Sequence, residues 1–323
     1  MKVLGMGNAL VDALVQIKDD NLLPSLDLLR GAMTLINEEH FLKISKMLSK
    51  MDKHIVSGGS ASNTVSGLAS LGIETGFIGR VGKDEYGKLY KDELVAHGVR
   101  PHLTEVNETS GVASTFISED GERTFGTYLG AAALLAPEDL SAEIFKGYDF
   151  FYIEGYLVQS HALIERAVKM AKEAGLKVAI DMASFNIVEQ NLDFLLKIIP
   201  QYVDIVFSNE EEAFTLTKLP AEEAVSKLHE MVDLAIVKTG ADGSWVQQGD
   251  YKIKVGANKV NCKDATGAGD LYAAGFIYGL AKNKDLETCA KLGTLLAGEV
   301  IQVIGPKIPS NRWSYIKEEI SKM

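Results

Sequence analysis

The chain has 323 residues, 46% hydrophobic and 24% charged, with a formal net charge of −11 from 33 basic and 44 acidic side chains. This is globular composition, which excludes a disordered, collagen-like or disulfide-scaffold chain. No overall basic field exists to hold a nucleic-acid backbone, which leaves small molecules as the expected partners, with room for a local basic pocket.

Cys262 and Cys289 form no Cys-x-x-Cys pair, so neither a disulfide framework nor a structural zinc site is expected. The opening Met1–Gly5 is too short for a secretory signal. The uncharged run Leu271–Ala281 falls below the roughly eighteen residues a membrane helix needs. The expectation is a cytoplasmic protein without a membrane partner.

In chain order, short apolar runs at Val3–Gly7, Thr75–Ile78, Phe150–Ile153, Val178–Asp181, Ile205–Phe207 and Ala235–Lys238 read as strands. Between them, Ser60–Leu71, Leu163–Ala174 and Glu222–Met231 carry helical periodicity. That alternation predicts an α/β fold with a mostly parallel sheet covered on both faces. No repeat or linker divides the chain, so residues 1–323 are expected to form a single domain. Two stretches break the rhythm: Ala13–Ile36 has little helical period, and Gly111–Leu129 reads as two strands joined at Asp120-Gly121. Insertions at approximately 13–36 and 98–130 are expected to build a small β-sheet lid, although a plain surface hairpin fits the second pattern equally well.

The first motif, Gly5-Met6-Gly7-Asn8, begins like a dinucleotide fingerprint, but Leu10 stands where its third small residue belongs. Asn8 and Asp12 offer polar groups near a strand end, suited to sugar hydroxyls. The cluster Ser57-Gly58-Gly59-Ser60-Ala61-Ser62-Asn63 opens a helix of small residues. It reads either as a tight turn or as a place where a ligand approaches Gly59 and Asn63 closely. Asn209-Glu210-Glu211-Glu212 follows a strand, and its acids suit either the helix dipole or a hydrated Mg2+. Lys238-Thr239-Gly240-Ala241-Asp242-Gly243 is a glycine loop that could pass beneath a nucleotide or simply turn a hairpin between Ser244–Gln247 and its neighbouring strand.

The most informative segment is Asp264-Ala265-Thr266-Gly267-Ala268-Gly269-Asp270. Small residues lead straight into a helix whose first N–H groups lack intrahelical partners, which together with the dipole makes an anion site. Asp270 in the first turn is placed to take a proton from an attacking hydroxyl, or merely to favour the dipole. No Gly-x4-Gly-Lys-Ser/Thr loop occurs, which excludes P-loop chemistry.

Together these motifs resemble the ribokinase-like (PfkB) family of carbohydrate and nucleoside kinases over nearly the whole chain. Gly58-Gly59 with Asn63, followed by Gly72, Gly79, Gly82, Asp84 and Gly87, is similar to its N-terminal signature, and Asp264–Asp270 to its C-terminal one. The resemblance implies a three-layer α/β core with a β lid and an alcohol phosphotransferase. It implies Asp270 as catalytic base, with Gly267, Ala268 and Gly269 as the backbone anion hole. Asn8, Asp12, Gly58, Gly59 and Asn63 would bind the acceptor. Asn209, Thr239, Gly240, Gly243 and Thr266 would serve the nucleotide, and Glu212 would meet the metal through water. ATP and Mg2+ are implied, with a monovalent cation as a further family option. Ala265 departs from the common threonine and bears on that cation contact.

Gly5-Met6-Gly7-Asn8 with Asp12 most resembles the adenosine kinase branch, which also implies Arg123 near the transferred phosphate. The expected reaction is transfer to a primary hydroxyl, foremost the 5′-hydroxyl of adenosine. A sugar kinase acting on ribose or fructose is the alternative, and a silent nucleotide-binding protein the remote one. Both a monomer and a homodimer fit.

Overall fold

The computed structural model describes all residues from Met1 to Met323. Its strands, in chain order, are β1 (Val3–Met6), β2 (Leu10–Gln16), β3 (Met33–Leu35), β4 (His54–Ser57), β5 (Thr75–Gly82), β6 (Val99–Val106) and β7 (Gly111–Ile117). They continue with β8 (Arg123–Tyr128), β9 (Phe150–Glu154), β10 (Lys177–Asp181), β11 (Ile205–Asn209), β12 (Leu234–Lys238), β13 (Ser244–Gln248) and β14 (Tyr251–Val255).

Nine of them form one sheet in the order β14-β13-β12-β11-β10-β9-β1-β5-β6. Its pairs are parallel except for β12–β13 and β13–β14. The central strands from β12 to β5 are mostly apolar because helices cover both of their faces, while β6, β13 and β14 at the edges are half polar. β9, for example, is buried at all five positions. Alternation still sorts the side chains: Val3 joins one core cluster, while Leu4 and Met6 join the other. The two clusters hold 35 and 34 buried residues, so neither face is left open and the architecture is a three-layer sandwich.

One face carries the helices Ser60–Ser70, Ala268–Ala281 and Leu286–Val300, and the other carries His161–Glu173, Leu192–Tyr202 and Ala221–His229. The C-terminal helix Trp313–Ser321 buries Ile316 in the first cluster. No helix is long and apolar enough to cross a membrane.

The other five strands make a second sheet, ordered β3-β8-β7-β2-β4, with its own core of 13 buried residues that include Phe41, Ile44 and Phe116. The span 98–130 is corrected here: β6 runs parallel to β5 at the edge of the large sheet, so only the part from Gly111 enters the small one. β4, which precedes the first glycine cluster, pairs with β2 in the small sheet.

β1 lies between β9 and β5, with the chain stepping outward from it in both directions. This reversal of strand order opens a crevice beyond the carboxyl ends of β1 and β9, the usual ligand position in open α/β sheets. Asn8 and Glu154 meet at that point. The Asn8 side-chain amide and backbone N–H both donate to Glu154 Oε1, at 2.9 and 3.3 Å, and Ala61 N–H donates to Oε2 at 3.1 Å. Glu154 thus braces the end of β1 against the first turn of the helix Ser60–Ser70.

Candidate active site

A cleft of about 1720 Å³ runs between the carboxyl ends of the large sheet and the small sheet. A single ligand pocket usually spans about 300–1,000 Å³, so this one has room for two substrates. Asp270 lies on its wall at the start of the helix Ala268–Ala281. Gly267, the residue before that helix, has φ +79°, and a Cβ there would press on Pro306; only glycine fits both demands. The main-chain N–H groups of Gly267, Gly269 and Asp270 have no acceptor in the protein. The Ala268 N–H donates to the Ala265 carbonyl at 3.2 Å, which leaves the other three amides free, with Gly269 and Asp270 on the cleft wall and Gly267 just off it.

The Asp270 carboxylate accepts from Ser60 Oγ at 2.7 Å and from Asn63 Nδ2 at 2.9 Å. Burial raises its pKa, while these two hydrogen bonds hold it down, and the net direction is upward. Its first neighbours therefore come from the other glycine cluster, some two hundred residues earlier. Gly59 makes that junction: it has φ +89°, and a Cβ would collide with the Asn8 carbonyl oxygen. Gly58 lies against the Asp12 carboxylate and does not reach the cleft wall.

Asp12 faces the cleft and accepts no hydrogen bond from the protein. Burial pushes its pKa up to about 7 against the pull of Lys307 and Arg123. Glu154 is also pushed up to about 7 by burial, its hydrogen bonds from Ala61 and Asn8 opposing. Asn8 lines the cleft with one of its two amide N–H donors committed to Glu154, which leaves the second N–H and the side-chain oxygen for a ligand.

On the other side, Asn209 and Glu212 form a reciprocal helix cap. Asn209 Oδ1 accepts from Glu212 N–H at 2.9 Å. The Glu212 oxygens accept from Asn209 Nδ2 and Asn209 N–H, each at 2.8 Å. Burial raises the Glu212 pKa, with Lys238 opposing. Since both of its oxygens are engaged, contact with a metal through water costs the cap least. No group of three or more His, Cys, Asp or Glu side chains is arranged to hold a metal ion.

Gly240, Gly243 and Thr266 line the cleft, whereas Thr239 is buried behind it with its hydroxyl unpartnered. Arg123 is a correction. Its guanidinium forms a buried ion pair with Asp264 and does not line the cleft. Asp264 also accepts from Gly305 N–H at 2.6 Å and from Thr266 N–H at 3.1 Å, so Arg123 braces the turn leading to Gly267.

Sequence reasoning passed over Ser60, Glu154, Asp181 and Lys238 as site residues. Their signal was available: Glu154, Asp181 and Lys238 each end a buried parallel strand with a charge, at the edge where ligands bind.

Comparison with known proteins decides the family. The pfkB family carbohydrate kinase profile matches residues 22–313. The chain belongs to the pfkB carbohydrate kinase family. A probable sugar kinase from Rhizobium etli superposes with a TM-score of 0.89 at 32% identity, covering 100% of this chain and 99% of that one. Adenosine kinase from Sinorhizobium meliloti gives 0.87 at 34% identity, with 98% of each chain covered. Adenosine kinase 2 of Arabidopsis thaliana is 28% identical, with 95% of each chain covered. The kinase therefore has the ribokinase-like fold and is a phosphotransferase that uses an alcohol acceptor, a sugar or a nucleoside.

Proposed function

We propose that the kinase transfers the γ-phosphoryl group of ATP to the 5′-hydroxyl of adenosine, giving AMP and ADP. The observation that carries the choice of acceptor is the face the small sheet turns to the cleft. Register places Asp12 beside Ala113, Ala113 beside Thr127, and Thr127 beside Leu35, one row across four strands. Three strand spacings of about 4.8 Å separate its ends by roughly 14 Å. Asp12 is the polar end. At the other end Leu29, Met33 and Leu35 line the cleft while 73%, 49% and 56% exposed, and small side chains lie between. Sugar hydroxyls need polar partners along their whole outline, whereas a nucleoside presents a hydroxylated ribose to one end and a flat base to the other.

In this reading Asp12 accepts the ribose hydroxyls, and the base lies on Leu29, Met33 and Leu35. Asp270 takes the proton of the 5′-hydroxyl as its oxygen attacks in line. Its raised pKa brings it nearer to the working pH, where a general base is most effective. The Gly267, Gly269 and Asp270 amides hold the phosphoryl oxygens where charge develops. Thr266, Gly240 and Gly243 border the nucleotide side, with Val260, Ala297 and Ile301 supplying an apolar slot. Glu212 would face a Mg2+ ion brought by the nucleotide, which would supply charge neutralisation on the phosphates.

The small sheet acts as a lid over the acceptor and keeps water from the phosphoryl group. Turnover with ATP–Mg2+ and a panel of nucleosides, ribose and fructose tests the proposal. Adenosine is expected to give the highest kcat/KM, and a preference for a free sugar overturns it.

A further inference from the structure

At the carboxyl end of β12, Lys238 directs its ammonium at the first turn of the helix Ala268–Ala281. The nitrogen stands 3.3 Å from the position a Cβ on Gly269 would occupy. It pairs with Asp181 Oδ2 at 2.8 Å, the two side chains being 14% and 8% exposed, and Lys238 lines the cleft. Asp181 is itself fixed, because its Oδ2 also accepts from the Tyr152 hydroxyl at 3.2 Å. An ammonium has three donors, and Asp181 takes only one of them. The N–H groups of Gly267, Gly269 and Asp270 beside it are equally without acceptors. Unfilled donors from a side chain and from a helix end thus lie close together, with the ammonium nearest to Gly269. Burial works against the charge on Lys238, but Asp181 and Glu212 outweigh it and raise its pKa, so the amine is cationic at any working pH.

We propose that Lys238 is a catalytic residue, its ammonium binding a non-bridging oxygen of the transferred phosphoryl group while Asp181 holds it in place. This rests on the reading of the amide cradle as the phosphoryl site. In the transfer, the bond from the acceptor oxygen to phosphorus forms and the bond to the β-phosphate oxygen breaks. The hydroxyl proton goes to Asp270, ADP departs with the bonding pair, and Lys238 keeps all its protons. Charge in that transition state spreads over three equatorial oxygens. The amides reach them from the helix end, and a compact point charge reaches them from the sheet.

The test compares Lys238→Met, Lys238→Arg, the double variant Lys238→Met/Asp181→Asn and Asp270→Asn with the wild type, using ATP–Mg2+ and adenosine. Lys238→Met is expected to lower kcat at saturating substrates by at least about 10²-fold, the usual loss for one such donor. Acceptor affinity by calorimetry should change less than about twofold, and Lys238→Arg should recover part of the rate. Lys238→Met alone strands a buried carboxylate and can lose stability. The double variant removes both charges and should melt like the wild type while remaining as slow as Lys238→Met. ADP–Mg2+ with aluminium fluoride, which imitates the phosphoryl group in flight, should bind more tightly than ADP–Mg2+ alone to the wild type but not to either Met variant.

A double variant with wild-type kcat means that Lys238 only neutralises Asp181, and it overturns the assignment while Asp270→Asn stays slow. Wild-type turnover in Asp270→Asn instead sinks the cradle reading, and this proposal with it.

Discussion

Asn63 donates its side-chain amide to Asp270 Oδ2 across 2.9 Å, joining the two glycine-rich motifs of the chain at a single carboxylate. Ser60 holds the other oxygen. In the proposed role of general base, an aspartate fixed at both oxygens stays aimed at the acceptor hydroxyl and works only when ionised. Asp270→Asn should lower kcat by about 10²–10⁴-fold, as expected for loss of a general base. Direct binding of ATP should change little. Both hydrogen bonds stabilise the charged form, so Ser60→Ala should move the acid limb of the pH–rate profile to higher pH. An unmoved limb would remove Ser60 from the positioning of the base.

If the acceptor binds at Asp12 as proposed, its binding should depend on pH. The Asp12 carboxyl, pushed up to about 7, is partly protonated near neutrality in the free enzyme. Hydroxyl donors from the acceptor favour the charged form, so affinity should rise with pH up to about 7 and then level off. Calorimetry in buffers of different ionisation heat should register proton release below that pH. Asp12→Asn should weaken binding and flatten the profile. Stability has the opposite slope, because the folded state holds the proton more tightly: the contribution is full below the unfolded value of 3.8 and is lost as pH rises through about 7. Asp12→Asn should therefore gain thermal stability relative to the wild type between pH 5 and 8.

In the proposed complex Leu35 carries the base, a contact that a free sugar would not make. It is 56% exposed, so replacing it disturbs little packing. Leu35→Asp should raise the KM for adenosine by roughly tenfold or more, corresponding to about 1.5–3 kcal/mol of lost apolar burial. The KM for ATP should stay within about twofold. Equal effects on both substrates would place the base elsewhere.

Arg123 and Asp264 pair out of contact with water, and Arg123→Met leaves the carboxylate with two main-chain donors and no counter-charge. Breaking such a pair typically costs about 3–5 kcal/mol. The lower end is expected here, because Gly305 and Thr266 still donate. The shift of a urea unfolding midpoint measures it. Arg123→Met/Asp264→Asn should recover much of the loss.

Much of this arrangement is legible in the sequence. Val178–Asp181 and Ala235–Lys238 stand out because parallel strands buried on both faces have no polar alternation to blur them. Asp270 is legible because glycines and a carboxylate at a helix start carry their chemistry in local order. Arg123 is not. Its partner lies far along the chain at Asp264, and nothing local distinguishes a brace from a phosphate ligand. Val99–Val106 escapes for a similar reason: a half-polar edge strand reads like part of the adjoining hairpin until its partner β5 is known. Asp181 and Lys238 were visible as residues, but their pairing across two strands depends on the order of the sheet.

The small sheet is threaded rather than hung. The backbone passes between the two sheets at Gly7–Ala9, at Gly58-Gly59, between Val106 and Gly111, and after Tyr128. Register puts all four in one row, with Leu10 beside Gly111, Ser57 beside Val11 and Tyr128 beside Val112, so the sheet is held along one edge by four adjacent strands rather than on a single stem. Rotation at any one crossing must be matched at the other three. Stiffening a single crossing, for instance Gly59, should therefore slow the motion of the entire sheet, including strands that lie far from the altered residue in the chain.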